Sequence, residues 1–187
     1  MAHGLRELSM PALAARLGAG VSSLYTHFRN KDALLHALNR RVLHDVHRQL
    51  PPTGPGAWGD ELYVYFDAFY ALLLHLPAYR EVVAYGSSHI GASSLPQASL
   101  QRLDDGLALL TKAGFSEPRA REAFSACYNW TRGMAVLRQE PCPPSEDGVV
   151  GEVISLSDDQ FRAGLRLLIA GIAASSRQTD AQREPTD

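Results

Sequence analysis

The run MPALAARLGAGVSSLYTHF, from Met10 to Phe28, reads as two short helices joined by a tight turn. Ser9 is a good N-cap for a helix ending at Leu17, and Gly18 follows as a C-terminal stop. A second helix runs from about Val21 to His27. A helix-turn-helix needs a small residue where the helices meet, and Ala14 supplies it. Four residues later it needs one tolerant of left-handed geometry, which is Gly18. Six further on it needs an inward apolar residue, which is Leu24. Leu13, Leu17, Val21, Leu24 and Phe28 form the expected apolar seam. The opposite face carries Ser22, Ser23, Tyr25, Thr26 and His27, hydrogen-bonding side chains of the right length for base edges and phosphates. Ala, Gly and Leu are common residues, so the spacing alone fits a DNA reader and also a helical hairpin with no nucleic-acid role.

Outward from this run, helical signals dominate. Asn30 caps a long helix through Leu50, with Leu34, Leu38, Val42, Val46 and Leu50 recurring every four residues. PPTGPG, Pro51 to Gly56, breaks the chain as a linker. Asp60 opens an almost all-round apolar helix to about Leu76, a pattern that belongs in the middle of a domain. Further helices are expected over Ala78–Tyr85, Gln97–Ala113, Glu117–Gln139 and, capped by Ser157, Asp158–Ser176. GSSHIGASSLP and the stretch Glu140–Ser155 read as loops. The expected organisation is a DNA-binding domain with its connecting helix over 1–50, a helical body over 57–177 and a disordered tail over 178–187.

Composition narrows the function. The chain has 187 residues, 45% hydrophobic and 20% charged, which suits a soluble protein with a real core. No apolar run approaches the roughly 20 residues that span a bilayer, and MAHGLRELSM has no apolar leader region. Two cysteines, Cys127 and Cys142, make no disulfide framework, so a reduced cytoplasmic setting is expected. Residues 1–50 carry seven Arg/Lys against three acids, a net of +4, so the remainder carries −6 of the overall −2. A basic head on an acidic body fits a DNA module joined to a non-DNA domain, although +4 also fits a solvated face.

LSMPALAARLG together with SSLYTHFRNKDALLHAL closely resembles the DNA-binding segment of the TetR family of transcriptional regulators. The matching residues are Leu8, Ser9, Leu13, Ala14, Leu17, Gly18, Leu24, Tyr25, His27, Phe28, Asn30, Lys31, Leu34 and Leu35. The rest is similar to the family's tetracycline-responsive subgroup in helix order and length. The resemblance implies an all-α chain, with an N-terminal helix-turn-helix DNA-binding domain and a C-terminal helical-bundle domain for ligand binding and dimerisation. It places Ser22, Ser23 and Thr26 toward bases, and Tyr25, His27 and Lys31 at the DNA backbone or groove edge. Packing between the helices is the other reading of Tyr25, and capping or packing that of His27. The implied partners are double-stranded operator DNA, a small-molecule effector and a second copy of the chain, with no membrane, cofactor or metal. The function implied is a ligand-responsive regulator, a repressor released from a palindromic operator by a small, largely apolar effector.

Three departures from the family pattern stand out. The family has a helix, ending in glycine, ahead of the Leu8–Ser9 position, and here only MAHGLRE precedes it. That helix is expected to be absent, leaving Leu13 and Leu34 without their cover unless the native start lies upstream of Met1. Gly20 stands where a capping Ser or Thr is usual, weakening the start of the reading helix. Pro11 stands where the tetracycline repressor has a DNA-contacting arginine, so a different operator is expected.

For the sensing half, Trp58 to Tyr85 holds eight of the fifteen aromatics. Phe66 and Phe69 read as core. A buried phenol wants a polar partner and often points at a cavity, so Tyr63, Tyr70, Tyr85, Tyr128 and Trp130 are the ligand-pocket candidates. Tetracycline-binding members place a histidine beside Gly-Thr on the drug's magnesium. Here Ala84, Tyr85, Gly86 and Ser87 occupy those positions, which argues against tetracycline–magnesium, and His89 reads as a solvated loop residue. The last helix has Gly164 and Gly171 among alanines, which suits a close helix seam between subunits and equally one within the chain.

No GxSxG, Walker loop or HExxH is present, and His44-x-x-His47 is too sparse for zinc on a face expected to be exposed and basic. An enzyme is therefore not expected. The alternative is a helical small-molecule- or partner-binding protein that has lost DNA binding.

Overall fold

The computed structural model describes residues 8–76, 96–138 and 157–181. Among the described residues the chain forms seven α-helices and no strand: α1 (Met10–Leu17), α2 (Val21–His27), α3 (Lys31–Gln49), α4 (Trp58–Leu74), α5 (Gln97–Lys112), α6 (Glu117–Arg138) and α7 (Asp158–Ala181). The expected helix over Ala78–Tyr85, with Pro77, Tyr85 and His89, lies outside the described residues.

Local chemistry sets the helix boundaries. The Ser9 side chain accepts from the Ala12 amide at 3.2 Å, with Pro11 in the first turn, where no donor is lost. Gly18 closes α1 with φ 64°, a conformation costly to any residue with a Cβ. Asn30 Oδ1 accepts from the Ala33 amide at 2.8 Å to start α3. Ser157 and Gln160 cap α7 reciprocally, the Gln160 amide donating to Ser157 Oγ at 3.1 Å and the Ser157 amide to Gln160 Oε1 at 3.4 Å. Gly20 makes no side-chain cap for α2.

Two apolar clusters organise the packing. A small one joins Met10, Ala14 and Leu24, with Leu13, Phe28 and Leu34 partly buried against it. Leu34 thereby seats the α1–α2 pair on the N-terminal end of α3, and it shares with Leu13 a partial cover that their expected exposure did not allow for. The large cluster surrounds α4, whose Phe66, Phe69 and Leu73 are completely buried. Helix α4 touches α3, α5, α6 and α7, which explains its nearly all-round apolar sequence. Each such phenylalanine contributes roughly 1.5–3 kcal/mol by leaving water.

The packing corrects several expectations. Leu17 and Val21 are 63% and 38% exposed rather than part of the seam. They flank Gly18, Ala19 and Gly20, which have no bulk to cover them. In α3 the buried positions are Leu35, Asn39, Leu43, Val46 and His47, while Leu38 is exposed. A row spaced by four drifts about 40° around a helix at each step, so Leu34 meets the small cluster, Val42, Val46 and Leu50 meet the large one, and Leu38 between them faces out. His47 is buried and not on the basic face. Helix α7 continues to Ala181, inside the stretch expected to be a disordered tail. No Gly or Pro interrupts it between Ile172 and Ala181.

Candidate nucleic-acid interface and the body behind it

Helix α2 buries one residue of seven, Leu24. Ser22, Ser23, Tyr25, Thr26 and His27 are all exposed and lie together on it. Tyr25 is 49% exposed, so packing between the helices leaves half of it uncovered. The His27 ring lies 6.5 Å from that of Phe28, centroid to centroid, and stays open to solvent. Thr26 donates its hydroxyl proton to the Ser22 carbonyl at 3.0 Å. Its lone pairs are left facing outward, which makes Thr26 an acceptor. Lys31 begins α3 three residues past the end of the Ser22–Phe28 run, partly buried, with Arg29 exposed beside it. The residues expected to meet nucleic acid thus lie on α2 and at the start of α3, with Arg29 and Lys31 as the neighbouring cations.

The aromatic candidates are dispersed. Tyr128 stacks on Phe69 at 5.6 Å and Phe124 at 6.5 Å, with the Arg132 guanidinium 5.3 Å from its ring. Tyr63, Tyr70 and Trp130 instead meet α7. Arg166 lies 4.8 Å from the Tyr63 ring centre. Tyr70 stacks on Phe161 at 3.8 Å and donates to Asp158 Oδ1 at 3.4 Å. Burial and the Asp158 carboxylate push its phenol up to about 12, so it stays a donor. Trp130 Nε1 donates to the Phe161 carbonyl at 3.3 Å, and its ring covers Gly164. The structure gathers Tyr63, Tyr70 and Trp130 along α7 and Tyr128 on the other side of α4.

A polar joint that sequence reasoning missed ties α3 to the body. His47 is 4% exposed, with Nδ1 2.7 Å from the Leu43 carbonyl and 3.2 Å from Ser99 Oγ, and its ring lies 5.4 Å from that of Phe69. Arg102 donates from Nε to the His47 carbonyl at 3.2 Å and from Nη2 to the Leu50 carbonyl at 2.9 Å. Burial lowers the His47 pKa below the ordinary 6.5, the Leu43 bond opposes this, and Arg102 adds to the lowering. The partners are more than fifty residues apart in the chain, and no local pattern announces such a pairing.

Comparison with known proteins agrees with this architecture. Residues 1–38 match the family described as bacterial regulatory proteins, tetR family. The tetracycline repressor protein class A from transposon 1721 of Escherichia coli is 31% identical, over 91% of this chain and 83% of that protein. The chain belongs to the TetR family. The solved TetR from Acinetobacter baumannii AYE has 27% identity and a TM-score of 0.71, covering 91% of this chain and 88% of its own. A variant of that protein in complex with minocycline gives a TM-score of 0.67 at the same coverage. As a TetR-family member the chain is a DNA-binding transcriptional regulator and not an enzyme. Among the described residues, no helix is long and apolar enough to cross a membrane.

One further surface of this TetR-family chain is notable. Helices α6 and α7 leave an open groove of about 730 Å³ between them, lined by Ala126, Trp130, Leu167, Leu168, Gly171 and Ile172 among others. Leu167 is 74% exposed at its edge. Gly164 is filled by the chain's own Trp130, whereas a Cβ at Gly171 would meet nothing within 4 Å.

Proposed function

We propose that two copies of this chain form a repressor that reads a palindromic duplex site through Ser22, Ser23, Tyr25, Thr26, His27 and Lys31. In this reading residues 1–50 form the reading head with its connecting helix, and residues 57–177 form the sensing and dimerising body. The observation that carries it is α2, which spends one residue on packing and presents the rest outward. Thr26, with its proton already engaged, favours a base amino group such as that of cytosine or adenine in the major groove. The apolar groove between α6 and α7 supports the two-copy assembly.

A small, largely apolar effector, bound among the helices after Trp58, releases the DNA by preferring the non-binding arrangement, since equal affinity for both shifts nothing. The minocycline complex of a relative supports small-molecule binding by this fold. The residues Ala84 to Ser87 favour an effector other than tetracycline–magnesium. The site of action is the cytoplasm, where the DNA is.

Selection of duplexes from a random pool, followed by salt titration of the winner, tests the reading. Lys31→Ala is expected to weaken binding to every sequence and to shallow the log–log salt slope by about 0.9 per lost phosphate contact. Ser23→Ala and Thr26→Ala are expected to change the preferred bases instead. Retention of no duplex by the purified protein would refute DNA reading and favour a helical binding protein that has lost it.

A further inference from the structure

We infer that Arg102 is a positioning residue for DNA recognition: by clasping the last carbonyls of α3 it sets the pitch of the helix that carries the reading head. This rests on the operator-reading function proposed above, and it names the contact through which the body holds the head.

The last carbonyls of a helix have no partner within it, and the end carries partial negative charge. Arg102 meets both needs at once, through Nε to His47 and Nη2 to Leu50, while its Nη1 lies 3.6 Å from Asp105 Oδ2. Its side chain is 19% exposed, so water competes little for these bonds. Two carbonyls three residues apart, held by one rigid planar fork, restrain the tilt of α3 as well as its position. Ser99, one turn earlier on the same face of α5, adds its contact to His47. The neighbouring contacts of Val46 and Leu50 are apolar and non-directional, so the clasp adds directional bonds to the packing that seats α3.

Leverage makes that angle consequential. Nineteen residues of α3, at about 1.5 Å each, form an arm of roughly 28 Å from the clasp to Lys31. A tilt of about 5° at the clasp then moves the head by roughly 2.5 Å, as the same helical rise implies. Applied to both copies, this changes the head separation by up to about 5 Å, against the roughly 34–36 Å of one DNA turn. One base-pair step is about 3.4 Å, so the clasp acts on the scale by which half-site spacing is discriminated.

The test uses the full chain and a duplex selected by it from a random pool, together with versions whose half-sites are moved one base pair closer or farther. Arg102→Met keeps the stem and removes the fork. It is expected to bind the selected duplex roughly tenfold more weakly, the effect of losing charged hydrogen bonds. Its preference for the original spacing should fall by roughly threefold or more, with base preferences inside each half-site unchanged. Arg102→Lys, which keeps charge but not the fork, should fall between. A loss shared equally by all spacings would show only a smaller folded fraction and would overturn the inference, as would wild-type behaviour of Arg102→Met. If circular dichroism shows that Arg102→Met does not fold, Arg102→Lys is judged by the same spacing criterion. Retention of no duplex by the wild-type chain would instead sink operator reading itself, and this inference with it.

Discussion

His47 shows how one side chain changes meaning with its surroundings. On sequence it is one of five histidines in a basic segment, while in the fold it is a neutral ring wedged between α3, α4 and α5. Its lowered pKa carries a consequence for stability. Between the ordinary value of 6.5 and the lower folded value, the unfolded chain holds the proton and the folded chain does not. Stability is therefore complete above pH 6.5 and declines as pH falls through that window. Urea unfolding of the wild type should show its midpoint dropping on acidification, with a slope from this group of at most about 1.4 kcal/mol per pH unit. His47→Gln should remove that share of the dependence. An identical pH profile for wild type and variant would show that His47 titrates alike in both states. Tyr25 is the opposite case, a residue that stays 49% exposed beside its buried neighbour Leu24.

At the level of elements, the helices follow from caps and breakers that sit within a few residues of each boundary. Their faces follow from close approach. Gly106 lies mid-helix in α5, where glycine costs roughly 0.5–1 kcal/mol relative to alanine. It is kept there because a Cβ would overlap the Phe124 ring. That ring is itself packed 5.2 Å from Phe66 and 6.0 Å from Tyr65, so it has nowhere to retreat. Gly106→Ala should therefore destabilise the protein by about 1–2 kcal/mol net, overpacking outweighing the gain in helix propensity. Gly133→Ala is the control. It is exposed in α6 with nothing within 4 Å of its Cβ position, so it should stabilise by roughly 0.5–1 kcal/mol. Equal effects of the two substitutions in chemical unfolding would remove the steric account of Gly106.

For the whole molecule, the groove between α6 and α7 is the surface on which assembly is tested. Under the proposed two-copy assembly, the partner's equivalent helices fill it and bury well over roughly 1,000 Å² in total. Gly171→Leu separates this from packing within the chain, because in a single copy a Cβ at that position meets nothing within 4 Å and the side chain extends into the open groove. The variant should keep its helical content yet lose the dimer in light scattering at micromolar concentration, its unfolding midpoint becoming lower and independent of protein concentration. An unaltered dimer mass would place the seam elsewhere.

Most of the architecture is legible in the sequence, because its signals are local. A cap, a glycine turn, a 3.6-residue period and a dense motif from Leu8 to Leu35 all act within one or two helical turns, and they sufficed for an all-α chain with a helix-turn-helix at its head. What the tertiary structure alone decided are relations between residues far apart in the chain. These include Arg102 gripping the end of α3, Ser99 meeting His47, Trp130 filling the space at Gly164, and the division of the tyrosines between two sides of α4. The burial of His47 belongs with them, since a four-residue repeat drifts around the helix and only the neighbouring helices determine which face is covered. Sequence periodicity states that a face will be buried; the packing of other helices selects its residues and brings its polar partners within reach.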